Sequence, residues 1–115
     1  MSITSYAITF DCGNAAKLAQ FWSAVLGQPV SGEPSEEFAS VDQFGAGPSI
    51  YFYKVPEPKT VKNRVHLDLT VAALDDELDR IAGLGGREVA RFEEEGSRWV
   101  TLADPEGNEF DLIAA

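Results

Sequence analysis

Apolar residues in this chain recur with a period of two, then with a helical period, then in short alternating runs, and the cycle occurs twice. From Thr4 to Asp11, Tyr6, Ile8 and Phe10 alternate with Ala7, Thr9 and Asp11, which predicts a strand. Gly13-Asn14 breaks it, and Asn14 suits a helix N-cap. Ala15, Leu18, Trp22 and Val25 then share one helical stripe, widened by Phe21 and Leu26, so Trp22 is expected in the core. Gly27 fits a left-handed C-cap, and Pro29 prevents continuation. Residues 30 to 37 are polar and contain Gly32 and Pro34, which predicts a loop with at most a short strand. Strands are predicted over 38–44 and 49–55, the second centred on Tyr51, Phe52 and Tyr53, with Gly45-Ala46-Gly47-Pro48 as the turn between them. Pro56-Glu57-Pro58-Lys59 reads as a linker.

The cycle then restarts. Val65, Leu67, Leu69 and Val71 alternate with Arg64, His66, Asp68 and Thr70, which predicts a strand over 64–71. Leu74, Leu78 and Ile81 form the buried stripe of a second helix. Asp75, Asp76 and Glu77 stand in its first turn, where the helix dipole favours negative charge, and Gly85-Gly86 ends it. Short strands are predicted over 87–92, 97–103 (around Trp99) and 109–114. The run Glu93-Glu94-Glu95 reads as a solvated loop and Asp104-Pro105-Glu106-Gly107 as a turn. The helix ends align, Val25-Leu26-Gly27 with Gly83-Leu84-Gly85, and so do the final hairpins, Gly47 to Phe52 with Gly107 to Leu112. The order is βαβββ, linker, βαβββ, an internal repeat within one α+β domain over 1–115: unit one about 3–55, linker about 56–62, unit two about 63–115.

Composition narrows the function classes. At 44% hydrophobic the chain can build a core, and it has no apolar run long enough for a membrane helix. Met1-Ser2-Ile3-Thr4-Ser5 does not read as a signal peptide. Cys12, the single cysteine, cannot form an intrachain disulfide, which fits a reducing, cytoplasmic setting. Its place after the first strand suggests a small buried residue rather than a nucleophile. A net charge of −10 argues against nucleic acid and anionic membranes as partners, since phosphate binding needs clustered Lys and Arg.

Leu18-Ala19-Gln20-Phe21-Trp22-Ser23-Ala24-Val25-Leu26-Gly27 in the first unit, with Arg64-Val65-His66-Leu67-Asp68-Leu69 and Asp104-Pro105-Glu106-Gly107-Asn108-Glu109-Phe110 in the second, resemble the vicinal oxygen chelate superfamily, the glyoxalase and bleomycin-resistance proteins. The resemblance covers essentially the whole chain. It implies two βαβββ units whose mixed sheets curl into a cup, a glyoxalase-like fold, and a homodimer. In metal-dependent members it implies four inward-facing His, Glu or Gln ligands, two per unit, on the first and last strands. The ion there polarises two vicinal substrate oxygens.

By that resemblance the ligand positions fall on Ala7, Tyr51, His66 and Asp111. Ala7 carries a one-residue uncertainty, and its neighbours Tyr6, Ile8 and Thr9 do not restore a ligand. Only His66 and Asp111 carry metal-binding chemistry, and a stable site wants at least three protein ligands. Asp68, Glu109 or a partner subunit are the available substitutes, and the ion is expected among Zn, Ni, Mn and Fe. Without metal, His66 is a histidine hydrogen-bonded to Asp111 or Asp68, or a general base oriented by that carboxylate. The expected pocket residues are Ala7, Thr9, Tyr51, Tyr53, His66, Asp68, Trp99 and Asp111, the aromatic ones suiting a flat organic ligand. Two readings follow: a small-molecule-binding protein of unassigned ligand without a complete metal site, or a metal-dependent lyase, isomerase or dioxygenase using His66 and Asp111. A regulatory or interaction module on the same fold is a third.

Overall fold

The structure, a computed structural model, describes residues 2–115. The chain divides between Pro58 and Lys59 into two compact units.

The first unit contains β1 (Ala7–Cys12), α1 (Ala15–Leu26), β2 (Phe38–Val41) and β3 (Ser49–Lys54). Asn14 caps α1 by accepting the Lys17 N–H, at 3.1 Å. Gly27 ends the helix at φ 66°, and its N–H returns to the Ser23 carbonyl. The three strands form one sheet in the order β1-β3-β2, with β1 parallel and β2 antiparallel to β3. Leu18, Phe21, Trp22 and Val25 bury the inner face of α1, while Ala39, Val41, Ile50 and Phe52 bury one face of the sheet. Trp22 lies in this core, its ring 5.4 Å from that of Phe10. Cys12 is buried, with its thiol donating to the Tyr53 carbonyl. Among the described residues a fourth strand is reduced to one bridge, Val30 with Val41. Gly32 and Pro34 follow Val30 at once, so no ladder develops.

The second unit contains β4 (Asp68–Val71), α2 (Leu74–Leu84), β5 (Arg87–Glu94), β6 (Ser97–Ala103) and β7 (Glu109–Ala114), with sheet order β4-β7-β6-β5. Here too the first strand runs parallel to the last. Leu74, Leu78 and Ile81 of α2 are buried, as are Val100, Leu102, Phe110 and Leu112 of the sheet. Two expectations are corrected. Glu93 and Glu94 belong to β5 rather than a loop; only Glu95 turns, with Gly96, both at positive φ (49° and 82°), as a two-residue hairpin turn demands. The strand predicted over 64–71 begins only at Asp68, so Arg64, Val65, His66 and Leu67 precede it, and Val65 is 80% exposed.

The β6–β7 turn is built on Asp104, which is 3% exposed. Its carboxylate accepts the N–H groups of Glu106 and Asn108 and the Asn108 side-chain amide, at 2.9 to 3.1 Å. That satisfies a buried charge with donors and makes the DPEGN segment structural. No helix among the described residues is long and apolar enough to cross a membrane.

Candidate functional site

Each sheet has one face covered by its helix and one face left open. In the first unit the open face carries Ala7 and Thr9 of β1, Tyr51 and Tyr53 of β3, and Phe38 and Ser40 of β2, because strand side chains alternate. The Phe38 ring lies 4.8 Å from that of Tyr53 and 6.0 Å from that of Tyr51. The three rings form an exposed aromatic cluster rather than core. Phe38 was not foreseen as part of it; its place opposite Tyr53 depends on antiparallel pairing.

In the second unit the open face carries the titratable chemistry. The Nδ1 of His66 is 2.9 Å from Oδ1 of Asp68 and 4.0 Å from Oδ2 of Asp111. The Thr101 hydroxyl donates to the other oxygen of Asp111, at 2.6 Å. Local pairing explains the convergence. Asp68 lies beside Asp111 across the parallel β4–β7 pair, and Thr101 lies beside Asp111 across the antiparallel β6–β7 pair. Asp68 and Asp111 therefore project from the same side, and His66 comes from the chain just before Asp68. In a neutral ring, the two carboxylates about Nδ1 favour the proton on that nitrogen, with Nε2 as the lone-pair nitrogen. Thr101 was missed in the sequence, although its spacing of two from Trp99 was the signal that it shares that face.

Trp99 is half-buried on the open face and lies opposite Ile113. It stacks on Phe92 of β5, with centroids 5.2 Å apart and planes 12° from parallel. The second sheet thus places an aromatic platform two residues along β6 from the His66 cluster. An open groove beside the start of α2, lined by Leu74, Arg91, Arg98 and neighbouring β5–β6 residues, contains none of His66, Asp68 or Asp111. Its arginines are already paired, Arg91 with Glu88 and Arg98 with Asp75.

Glu109, the other substitute ligand, is employed elsewhere. Its carboxylate accepts the Asn63 N–H at 3.2 Å and pairs with Lys59 at 3.1 Å. Burial pushes its carboxyl up, but the N–H bonds from Asn63 and its own backbone, with Lys59, outweigh this and hold it below the ordinary glutamate value.

The registers align the two units at this position. Thr9 pairs with Tyr51 as Asp68 pairs with Asp111, which makes Ala7 the counterpart of His66. Ala7 has no donor atom, so the four-ligand arrangement implied by the resemblance does not fit these residues. Within the second unit, His66, Asp68 and Asp111 each offer one ligand atom, all within 4.8 Å of one another. Three donors with open positions are the composition of an open metal site with bonds of about 2.0–2.2 Å.

The sequence profile of the glyoxalase-like domain family matches residues 7–113. No curated protein matches the chain. Among solved structures the chain is similar to hypothetical protein SA1046 from S. aureus, at 17% identity and TM-score 0.78, over 100% of this chain and 96% of that one. It is similar to a glyoxalase/bleomycin resistance protein/dioxygenase family enzyme from Burkholderia phytofirmans PsJN, at 17% identity and TM-score 0.76, over 94% and 95%. It is also similar to the fosfomycin resistance protein FosX from Listeria monocytogenes, at 17% identity and TM-score 0.77, over 100% and 95%. A mutant of that FosX has been solved with Mn(II) and 1S,2S-dihydroxypropylphosphonic acid. At these identities the likeness establishes a shared glyoxalase-like fold.

Proposed function

The chain belongs to the glyoxalase-like domain family, and on that premise we propose that it binds a small organic molecule at the open face of its second sheet, with His66 as the polar group that meets the ligand. The observation that carries this reading is the juxtaposition on one face of an oriented imidazole and an aromatic platform. Asp68 and Asp111 flank Nδ1, so in the neutral ring Nε2 is the acceptor for a hydroxyl or the proton acceptor. Phe92 and Trp99 offer a stacked pair of the kind that holds a planar ring. Two carboxylates beside one imidazole favour a ligand rich in donors, a hydroxyl or amino group, over an anionic one. The protein functions as a homodimer in this reading, and light scattering at micromolar concentration should return twice the chain mass.

A panel of hydroxylated and amino-substituted aromatic compounds, screened by ligand-observed NMR, tests the proposal. Binding to the native protein that weakens at least tenfold in both His66→Ala and Trp99→Leu is the expected result. Binding that survives both substitutions would place the ligand elsewhere, and no binding across the panel would remove this ligand class.

A second reading rests on the convergence of His66, Asp68 and Asp111. In it those three residues hold a divalent cation, which supplies Lewis-acid polarisation of a substrate oxygen when bound. Asp68 serves as the third donor within the second unit, and Thr101 orients Asp111. The 2.9 Å approach of Nδ1 to Asp68 favours the first reading, because the nitrogen nearest both carboxylates is already engaged by them.

A further inference from the structure

The strand predicted over 64–71 forms ladder pairs only from Asp68, and the backbone groups just before that point bond to one side chain. In a parallel pair the residue opposite β4 donates its N–H to the preceding carbonyl of its partner and accepts from the following N–H. Asp111, opposite Asp68, does so in donating to the Leu67 carbonyl at 2.9 Å. Two residues earlier, a continued ladder would set Glu109 opposite His66, with the Glu109 N–H donating to the Val65 carbonyl. It donates instead to Oδ1 of Asn63, at 2.7 Å. The Glu109 carbonyl accepts from Nδ2 of Asn63 at 3.2 Å, and the Val65 carbonyl accepts from that same Nδ2. The Asn63 N–H, in turn, donates to the Glu109 carboxylate, which Lys59 also holds.

We propose that Asn63 is the positioning residue of the His66 site: its carboxamide is inserted as a surrogate peptide between Val65 and Glu109, and so sets where His66 leaves the ladder. The insertion occupies both backbone groups of Glu109 and holds residues 65 and 66 off the sheet. The Asp111 N–H to Leu67 carbonyl bond fixes the chain on the other side of His66. Between these two ties the imidazole reaches Asp68 with Nδ1. Were the ladder to continue through residue 66, His66 would stand opposite Glu109 as an ordinary strand residue, two positions from Asp68 along β4. This inference rests on the reading of His66 as the ligand-facing group, but its test needs no ligand.

The test compares the ring nitrogen and Nδ1–H signals of His66 by NMR in ligand-free protein carrying Asn63→Ala, Glu109→Gln or Asn108→Ala. Asn108→Ala is the control for stability, since Asn108 supports the Asp104 turn by the same kind of amide bond and does not touch His66. The expected result is loss of the protected Nδ1–H signal and mixed ring tautomers in Asn63→Ala. Glu109→Gln, which keeps an oxygen for the Asn63 N–H and both backbone bonds, retains the native His66 spectrum. Asn108→Ala lowers the melting temperature and also retains it. A native His66 spectrum in Asn63→Ala, or an equal disturbance in Asn108→Ala, would overturn the assignment. If Asn63→Ala does not fold, Asn63→Asp, which keeps Oδ1 and loses the Nδ2 donor, takes its place with the same expected outcome.

Discussion

In the first unit Thr9 lies beside Tyr51 across the parallel β1–β3 pair, with Ser40 on the other side of Tyr51. In the second, Asp68 lies beside Asp111 across β4–β7, with Thr101 on the other side of Asp111. Ala7 stands where the second unit has His66. The scaffold positions correspond and their chemistry does not: one open face is aromatic and uncharged at these places, the other holds an imidazole between two carboxylates. What the units share is what folding needs, a helix closed by a left-handed glycine and a buried sheet face. What differs sits on the face that the fold leaves open, where residue choice costs little stability. The titratable groups of the two open faces therefore gather in the second unit.

The comparison can be broken first at the cores. Phe52 and Phe110 are both essentially fully buried, one in each unit. Phe52→Ala and Phe110→Ala should each cost about 3–5 kcal/mol in urea unfolding. A cost near zero for either would show that its unit does not rely on the core described.

The helix ends sharpen it next. Gly27 lies at φ 66°, within reach of ordinary residues at some strain, whereas Gly85 lies at φ 109° with the Pro105 ring 3.5 Å from where a Cβ would stand. Gly85→Ala should cost about 1–2 kcal/mol and more than Gly27→Ala. Equal midpoints for the two variants would contradict this.

A smaller effect is expected at the open face of the second unit. His66 has 39% of its side chain exposed, and His66→Ala should shift stability by less than about 1 kcal/mol while removing ligand binding. A large fall in melting temperature would make His66 structural and end the contrast with Ala7.

The smallest effect concerns Glu109. Its carboxyl is held below the ordinary value in the folded state, so its contribution is complete above the unfolded glutamate value and declines as pH falls through the lower folded one. The acid limb of stability should therefore flatten in Glu109→Gln. An acid limb identical to that of the native protein would assign the loss to other carboxylates.

Much of this was legible in the sequence because punctuation residues act locally. Asn14, Gly27, Gly85 and the Asp104–Gly107 turn set element ends through bonds spanning a few residues. Leu74, Leu78 and Ile81 announced their buried stripe by spacing alone. The second-unit site was partly legible: His66, Asp68 and Asp111 were all singled out, and the register unites them. The start of β4 was not legible. Alternation persists from Arg64 to Val71, but alternation does not reveal that Asn63 occupies the partner's backbone groups, a contact 46 residues apart. Thr101 and Phe38 were missed for the same reason, since each depends on strand pairing. The Glu93–Glu95 run misled because a charged edge strand and a charged loop have the same composition.

The most direct test of the claim that His66 acts as an oriented imidazole rather than a metal ligand is metal analysis. The native protein and His66→Ala, each exposed to Zn, Ni, Mn and Fe and then dialysed, are measured side by side. The account predicts no stoichiometric metal in either protein. About one ion per chain in the native protein, lost in His66→Ala, would contradict it and make the His66, Asp68 and Asp111 cluster a metal centre.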